Sequence, residues 1–203
     1  MKHFLKLADQ TPESLKALLQ SAVQLKQALK SGTATQPLLG KSLALLFQKP
    51  SVRTRVSFDI GMKQLGGSTI ELAQDQVRMG TREPIRDVAR VLSRYVDAVM
   101  IRAFFHSDLA EFAQYSSVPV INGLCDLYHP CQAVADMLTI QEHKTALAGL
   151  KLAYIGDGNN VCHSLIVAAN LLGMEIVVSC PKGHEPRVRF PNARYEVLYD
   201  FFF

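Results

Sequence analysis

The sequence contains no tryptophan and only four cysteines among its 203 residues. Cys125, Cys131, Cys162 and Cys180 show neither the spacing of a disulfide framework nor the paired short spacings of a zinc site. Cys125 and Cys131 flank His129, but no second pair accompanies them, so we expect no metal. Because free thiols are typical of a reducing compartment, the cysteine pattern favours a cytoplasmic location.

Long hydrophobic runs and clustered charge are also absent. No apolar run approaches membrane-spanning length, and the first six residues lack the apolar stretch of a signal peptide. The net charge is only +4, and no basic tract is interleaved with aromatic residues. We therefore expect neither a membrane nor a nucleic acid as a partner. The chain is 48% hydrophobic, which is enough for one substantial core and the start of a second.

Residues 49–55 carry the most distinctive chemistry of the chain. They follow the apolar run 43–47, a predicted buried strand, and precede residues 56–65, which have apolar residues at helical spacing. Where a strand turns into a helix, free backbone N–H groups and the helix dipole favour an anion. Ser51 and Thr54 add hydroxyl donors, and Arg53 or Arg55 adds a guanidinium suited to phosphate oxygens. A capped helix with two solvated arginines is the alternative interpretation.

Strand and helix patterns alternate through residues 1–147. This alternation predicts an α/β fold with a doubly wound, mostly parallel sheet flanked by helices. Ligands of such sheets bind beyond the carboxyl ends of the strands. Three features fall at predicted strand ends: the candidate anion site, Arg102 as the last residue of strand 97–102, and the loop 122–132. Their convergence favours a functional site over a set of solvated side chains.

A second α/β unit is predicted from residue 148. It contains a strand at 150–155, an apolar helix and a strand at 175–179, and Gly156 and Gly158 lie at the first turn. We do not expect dinucleotide binding, because Val161 replaces the third glycine and no acidic residue ends the second strand. The predicted organisation is thus a first domain over 1–147, an incomplete second α/β domain over 148–186 and an unmatched tail over 187–203.

Several of these segments resemble the aspartate/ornithine carbamoyltransferase family. Residues 51–55 are similar to the Ser-Thr-Arg-Thr-Arg carbamoyl phosphate motif of that family, and residues 129–132 to its His-Pro-x-Gln motif. The segments 82–94 and 156–160 resemble ornithine rather than aspartate members. The resemblance covers the chain from about residue 5 to residue 186.

The resemblance implies an enzyme that transfers the carbamoyl group of carbamoyl phosphate to the δ-amine of L-ornithine. The products would be L-citrulline and phosphate, in arginine metabolism. The residues implied for carbamoyl phosphate binding are Ser51, Val52, Arg53, Thr54, Arg102, His129 and Gln132, the last three of them also catalytic. Asn160 would bind ornithine. No metal or organic cofactor is implied. The family is typically trimeric with shared sites, so we expect a homotrimer, with the loop 74–82 as the candidate contact.

The sequence departs from the family pattern at three places. Val52 stands where threonine is usual, which removes a hydroxyl and keeps the backbone N–H. Arg78 stands where many relatives have a glutamine that reaches a neighbouring subunit. Residues after Pro186 do not match the family, and a full ornithine domain would need about a hundred more residues. We interpret this as a truncated or frame-shifted product.

Two other functions stay open: aspartate carbamoylation, and carbamoyl phosphate binding without catalysis. Structural interpretations also stay open for three residues. Arg102 could be a solvated strand terminus, His129 a turn residue before Pro130, and Asn160 a helix cap.

Overall fold

The computed structural model describes residues 3–73, 77, 79–144, 146–188, 190 and 193–199. The chain forms two compact units. The first contains residues 1–5 and 24–126, and the second contains residues 6–23 and 127–203. Helix α1 (Pro12–Lys30) begins in the second unit and ends in the first. The sequence-based boundaries at 147 and 186 stay predictions.

The first unit contains a parallel sheet. Its strands are β1 (Ser42–Phe47), β2 (Ser68–Ala73), β3 (Ala98–Arg102) and β4 (Val120–Leu124). All three pairings are parallel, in the order β2-β1-β3-β4. The helices between them are α2 (Val52–Gln64), α3 (Ile85–Leu92) and α4 (His106–Tyr115). The predicted doubly wound, parallel α/β fold is confirmed, although several predicted bounds differ from the observed ones by a few residues.

The strand order places a switch point between β1 and β3. The chain leaves β1 towards β2 on one side and later returns to β3 on the other side. In such sheets the ligand crevice lies outside the carboxyl ends of the two strands that flank the switch. Those ends are Phe47 and Arg102, which are paired in the register. The residues that follow them are the predicted anion-binding segment and the loop after β3.

Strand β1 is central because its residues are apolar on both faces. Five consecutive residues from Leu43 to Phe47 are buried, which is typical of a strand covered on both sides. On one face Leu43, Leu45 and Phe47 form a cluster with Met100 of β3. Phe58 and Met62 of α2 pack against this cluster.

One predicted helix start differs from the structure. The pattern of residues 107–115 predicts a helix that Ser107 caps and that ends at Tyr115. Helix α4 instead begins at His106, directly after Phe105. The carboxylate of Asp126 accepts a hydrogen bond from the His106 N–H at 2.7 Å. The cap therefore comes from a residue distant in sequence, which the local pattern at Ser107 does not reveal.

The second unit is also α/β. Its strands β5 (Lys151–Ile155), β6 (Glu175–Ser179) and β7 (Glu196–Leu198) are parallel and lie in the order β5-β6-β7. Its helices include α5 (Pro130–Lys144) and α6 (Asn160–Leu171), with a 3-10 turn at Leu7–Asp9. Strand β7 gives the predicted tail regular structure, since it pairs with β6. Helix α6 is buried on all sides from Cys162 to Ala169.

None of the helices in the described part of the chain combines the length and the apolar character needed to cross a membrane.

The core around β1 generates a stability prediction. Leu45 is 1% exposed, so Leu45→Ala leaves a cavity and should lower the free energy of unfolding by about 2–5 kcal/mol. Leu39 is 72% exposed, and Leu39→Ala is the matched control with an expected change below about 0.5 kcal/mol. Circular dichroism during urea denaturation measures both, because the chain has no tryptophan. Equal effects of the two variants would contradict a core centred on β1.

Candidate functional site

Ser51 caps helix α2 directly after β1 ends. Its backbone is extended (φ −160°, ψ 117°), and its hydroxyl accepts a hydrogen bond from the Thr54 N–H at 3.4 Å. The first helical turn leaves the N–H groups of Val52 and Arg53 without intrahelical acceptors. No acidic residue occupies this turn, so the turn itself supplies no carboxylate to offset the positive end of the helix dipole. The local sequence thus builds an anion site at the carboxyl end of β1.

Arg102 reaches this helix start from the end of β3. Its Nη1 donates a hydrogen bond to the Thr54 hydroxyl at 3.3 Å. Its Nε is buried without a hydrogen-bond partner among the described residues. Burial lowers the pKa of the Arg102 guanidinium, and the nearby charge of Arg53 lowers it further. The arrangement holds two positive groups together at the start of α2, where an anion would remove the repulsion and satisfy the Nε donor.

The two arginines of the motif differ in their partners. The Nε of Arg55 lies 2.6 Å from a carboxylate oxygen of Glu71 on β2. In the part of the chain that the structure describes, neither Arg53 nor Arg102 lies within ion-pair distance of a carboxylate. The residue pattern alone left Arg53 and Arg55 as alternatives, and the family resemblance implied Arg53. In the structure Arg55 is paired with Glu71, whereas Arg53 is available to an anion. Arg102 is partly buried rather than a solvated terminus.

Gln48 supports the site, although no motif in the sequence singles it out. Its side chain is only 6% exposed. Its backbone N–H donates to the Arg102 carbonyl at 2.9 Å, and its side-chain oxygen accepts from the Phe104 N–H at 2.7 Å. Gln48 therefore joins the segment after β1 to the segment after β3. The feature of the sequence that could identify Gln48 is its position as a polar residue directly after an apolar strand.

His129 and Gln132 lie at the amino end of α5, in the second unit. His129 precedes Pro130, and its carbonyl accepts from the Ala133 N–H at 3.2 Å. Its own N–H donates to the Ser164 hydroxyl at 2.9 Å. The amide of Gln132 donates to a carboxylate oxygen of Asp136 at 2.8 Å, and its side chain is exposed. His129 and Gln132 are three positions apart, and residues at that spacing lie on the same side of a helix start.

Asn160 is not the cap of its helix. The side chain of Asn159 accepts from the N–H groups of Val161 at 3.0 Å and Cys162 at 3.3 Å. Asn160 is the next residue, the first of α6, and is half-buried. The capping interpretation of Asn160 is therefore wrong, because Asn159 already fills that role. The backbone carbonyl of Asn160 accepts from the Ser164 hydroxyl at 3.1 Å.

Gly158, before α6, is explained by packing of the chain on itself. Gly158 N–H donates to the His184 carbonyl at 2.8 Å. A Cβ on Gly158 would overlap the backbone nitrogen of Pro186. In dinucleotide sites this glycine lets a pyrophosphate approach the backbone, but here residues 184–186 occupy that place. This packing agrees with the expectation against dinucleotide binding.

His163 is a buried residue with both ring nitrogens in use. Nδ1 lies 2.9 Å from the Leu127 carbonyl, so it donates, and Nε2 accepts from the Arg187 N–H at 3.1 Å. Burial lowers the pKa of His163; the bond to Leu127 opposes this, and the charge of Arg187 adds to it. The imidazole is therefore neutral and holds the segment before His129 to α6.

The remaining predictions concern the Cys131 thiol, a metal site and the loop of the subunit contact. Burial raises the pKa of the Cys131 thiol to about 12, so it is protonated and is not a nucleophile. The described residues contain no group of three or more side chains that could hold a metal ion. Arg78 and residues 74–76 of the predicted contact loop lie outside the described residues.

Gln48 generates a prediction about the first unit. Gln48→Leu removes the acceptor of the Phe104 N–H and should lower the free energy of unfolding by about 1–3 kcal/mol. Gln64→Leu, at the exposed end of α2, is the control and should change it by less than about 0.5 kcal/mol. Urea denaturation followed by circular dichroism measures the difference. If the two variants unfold alike, Gln48 does not hold the two segments together.

His163 generates a prediction about pH. Its folded pKa lies below the ordinary value of 6.5, so the unfolded chain binds the proton more readily. The contribution to stability is complete above pH 6.5 and is lost as the pH falls below it. We expect His163→Asn to weaken this pH dependence in denaturation curves taken at about pH 8 and about pH 5. An unchanged pH dependence would show that His163 does not titrate on unfolding.

Two family models match the chain. The model described as "Aspartate/ornithine carbamoyltransferase, carbamoyl-P binding domain" matches residues 2–142. The model described as "Aspartate/ornithine carbamoyltransferase, Asp/Orn binding domain" matches residues 148–197. The second match extends past Pro186, where the motif resemblance ended.

Curated relatives and solved structures agree with these models. The chain is 55% identical to the ornithine carbamoyltransferase of Anoxybacillus flavithermus over 92% of this chain and 59% of that protein. It is 54% identical to that of Methanobrevibacter smithii, over 95% of this chain and 62% of the relative. The ornithine carbamoyltransferase structure from Pyrococcus furiosus superposes with a TM-score of 0.95 and 45% identity, over 98% of this chain and 67% of that chain. The chain thus spans about three-fifths of the length of these curated relatives.

Proposed function

Because the chain belongs to the aspartate/ornithine carbamoyltransferase family, as its motifs predicted, we propose that it binds carbamoyl phosphate and transfers the carbamoyl group to L-ornithine. The products are L-citrulline and phosphate, in arginine metabolism. The observation that carries the proposal is the pair of neighbouring guanidinium groups, Arg53 and Arg102, at the uncompensated start of α2. Such a site suits a dianionic phosphate.

The phosphate is assigned to the first turn of α2. The hydroxyl groups of Ser51 and Thr54 and the N–H groups of Val52 and Arg53 supply donors, and the Arg53 guanidinium supplies charge. The side chain of Val52 is 78% exposed. Valine lacks the hydroxyl of the threonine that is usual here, but its backbone N–H is still part of the helix start. These donors stabilise the charge that grows on the bridging oxygen as phosphate leaves.

The carbonyl oxygen is assigned to Arg102 in the first unit and, from the family motif, to His129 and Gln132 in the second. The uncharged δ-amine attacks the carbonyl carbon, and the carbonyl oxygen becomes negative. The carbonyl then re-forms, the bond to the phosphate oxygen breaks, and the proton of the amine passes to the departing phosphate. Donors aimed at this oxygen lower the barrier by about 3–4 kcal/mol each. The buried Nε of Arg102 is such a donor. The family pattern assigns ornithine binding to Asn160.

The proposal needs no metal or organic cofactor, because side chains and backbone N–H groups stabilise the charges that develop. It includes a homotrimer with the loop 74–82 at the subunit contact. It also includes a cytoplasmic location, which the free cysteines support.

Carbamoyl phosphate binding without transfer is the second candidate. It is favoured by the observation that Ser51, Thr54 and Arg102 are brought together within the first unit by itself. Transfer to aspartate belongs to the same family description, but the curated relatives at 54–55% identity are named for ornithine, which favours ornithine.

The phosphate site is tested by calorimetry with carbamoyl phosphate. Arg53→Ala should abolish measurable binding, because it removes the guanidinium without a carboxylate partner. Arg55→Ala is the matched control from the same motif. Its charge is paired with Glu71, so we expect affinity within about threefold of the parent. Retained binding in Arg53→Ala, or equal loss in both variants, would contradict the assignment of the phosphate to Arg53.

Citrulline formation tests the reaction. The parent chain with carbamoyl phosphate and ornithine should form citrulline, while aspartate in place of ornithine should give no carbamoyl-aspartate. Binding without product from either amino acid selects the second candidate. Product from aspartate alone would reassign the acceptor within the family.

A further inference from the structure

One buried hydroxyl in the second unit joins the two residues that the proposal assigns to different substrates. Ser164 lies on α6 and is 1% exposed. Its hydroxyl donates to the backbone carbonyl of Asn160 at 3.1 Å. The same oxygen accepts from the backbone N–H of His129 at 2.9 Å. The Ser164 hydroxyl is thus a donor through its proton and an acceptor through one lone pair at the same time.

The Ser164 hydroxyl completes the fixation of the His129 backbone. The His129 carbonyl accepts from Ala133 N–H at the start of α5, so its peptide groups are bonded on both sides. Two residues earlier, the Leu127 carbonyl is bonded to the imidazole of His163 at 2.9 Å. Consecutive residues of α6 therefore hold the segment 127–129 at two points.

We propose that Ser164 is a positioning residue that sets the direction of the His129 side chain from α6. The inference rests on the proposed function, in which His129 donates to the carbonyl oxygen of carbamoyl phosphate. Side-chain direction follows backbone direction at the Cα, and small displacements of a donor weaken its bond to a developing charge. The Ser164 hydroxyl also donates to the Asn160 carbonyl, so it links the segment 127–129 to the first turn of α6.

A purely structural role is the competing explanation. Serine hydroxyls within helices commonly bond the carbonyl four residues earlier, and such a bond affects stability alone. Ser179 on β6 offers a matched comparison. It is also 1% exposed, but its hydroxyl has no hydrogen-bond partner among the described residues. Ser179→Ala therefore removes an equally buried hydroxyl of the same unit without releasing His129.

The test compares Ser164→Ala, Ser164→Thr and Ser179→Ala in the full chain. NMR follows the imidazole resonances of His129 and the midpoint of their pH titration, and the variant His129→Gln identifies which resonances belong to His129. Calorimetry measures the affinity for carbamoyl phosphate. We expect Ser164→Ala to shift the His129 resonances and to weaken affinity about tenfold. Ser164→Thr keeps the hydroxyl and should restore both values, and Ser179→Ala should change neither.

The outcomes separate this inference from the proposed function. If the parent binds carbamoyl phosphate and Ser164→Ala changes neither the His129 resonances nor affinity, the positioning role is overturned and the function stands. If the parent does not bind, the function fails, and the His129 resonances alone decide whether Ser164 positions that side chain. If Ser164→Ala does not fold, amide exchange in the parent decides, because an unprotected His129 N–H would overturn the inference.

Discussion

The candidate site of the first unit depends on two positive groups, Arg53 and Arg102, held together without a carboxylate partner among the described residues. Arg53, Arg102 and the start of α2 share one end of the sheet, and burial and mutual repulsion lower the pKa of Arg102. Other cations of the same unit are paired: Lys41 with Asp97, Arg55 with Glu71, and Lys63 with Asp59. An uncompensated pair costs stability in the empty protein. A dianion bound there, as the proposed function requires, would offset that cost.

The parallel sheet provides the geometry for this charge. The strand order reverses between β1 and β3, and both strands end at the same edge. β1 leads directly into Ser51 and α2, while β3 delivers Arg102. The apolar residues of β1 are buried on both faces, so the strand ends are fixed by the core. The residues that follow the last buried position of each strand determine the chemical character of the candidate site.

Buried polar side chains then fix the segments that carry the candidate residues. Gln48 joins the segments after β1 and β3 through one backbone and one side-chain hydrogen bond. In the second unit, His163 and Ser164 hold the segment 127–129 to α6. A buried polar group is costly unless it is bonded. Each of these residues therefore specifies one arrangement of its loop, because alternatives would leave a donor or acceptor unsatisfied.

The sequence by itself determined the α/β class, the order of the strands and helices up to residue 179, and the family motifs. These features depend on hydrophobic period and on residues within one helical turn of each other, which a linear pattern contains. Only the tertiary structure showed that Arg55 is paired, because its partner Glu71 lies on the neighbouring strand. It also decided that Asp126 caps α4, that Asn159 rather than Asn160 caps α6, and that Gln48 and Ser164 support the predicted residues. Several of these choices turn on hydrogen bonds and ion pairs between segments far apart in sequence, which local pattern cannot specify.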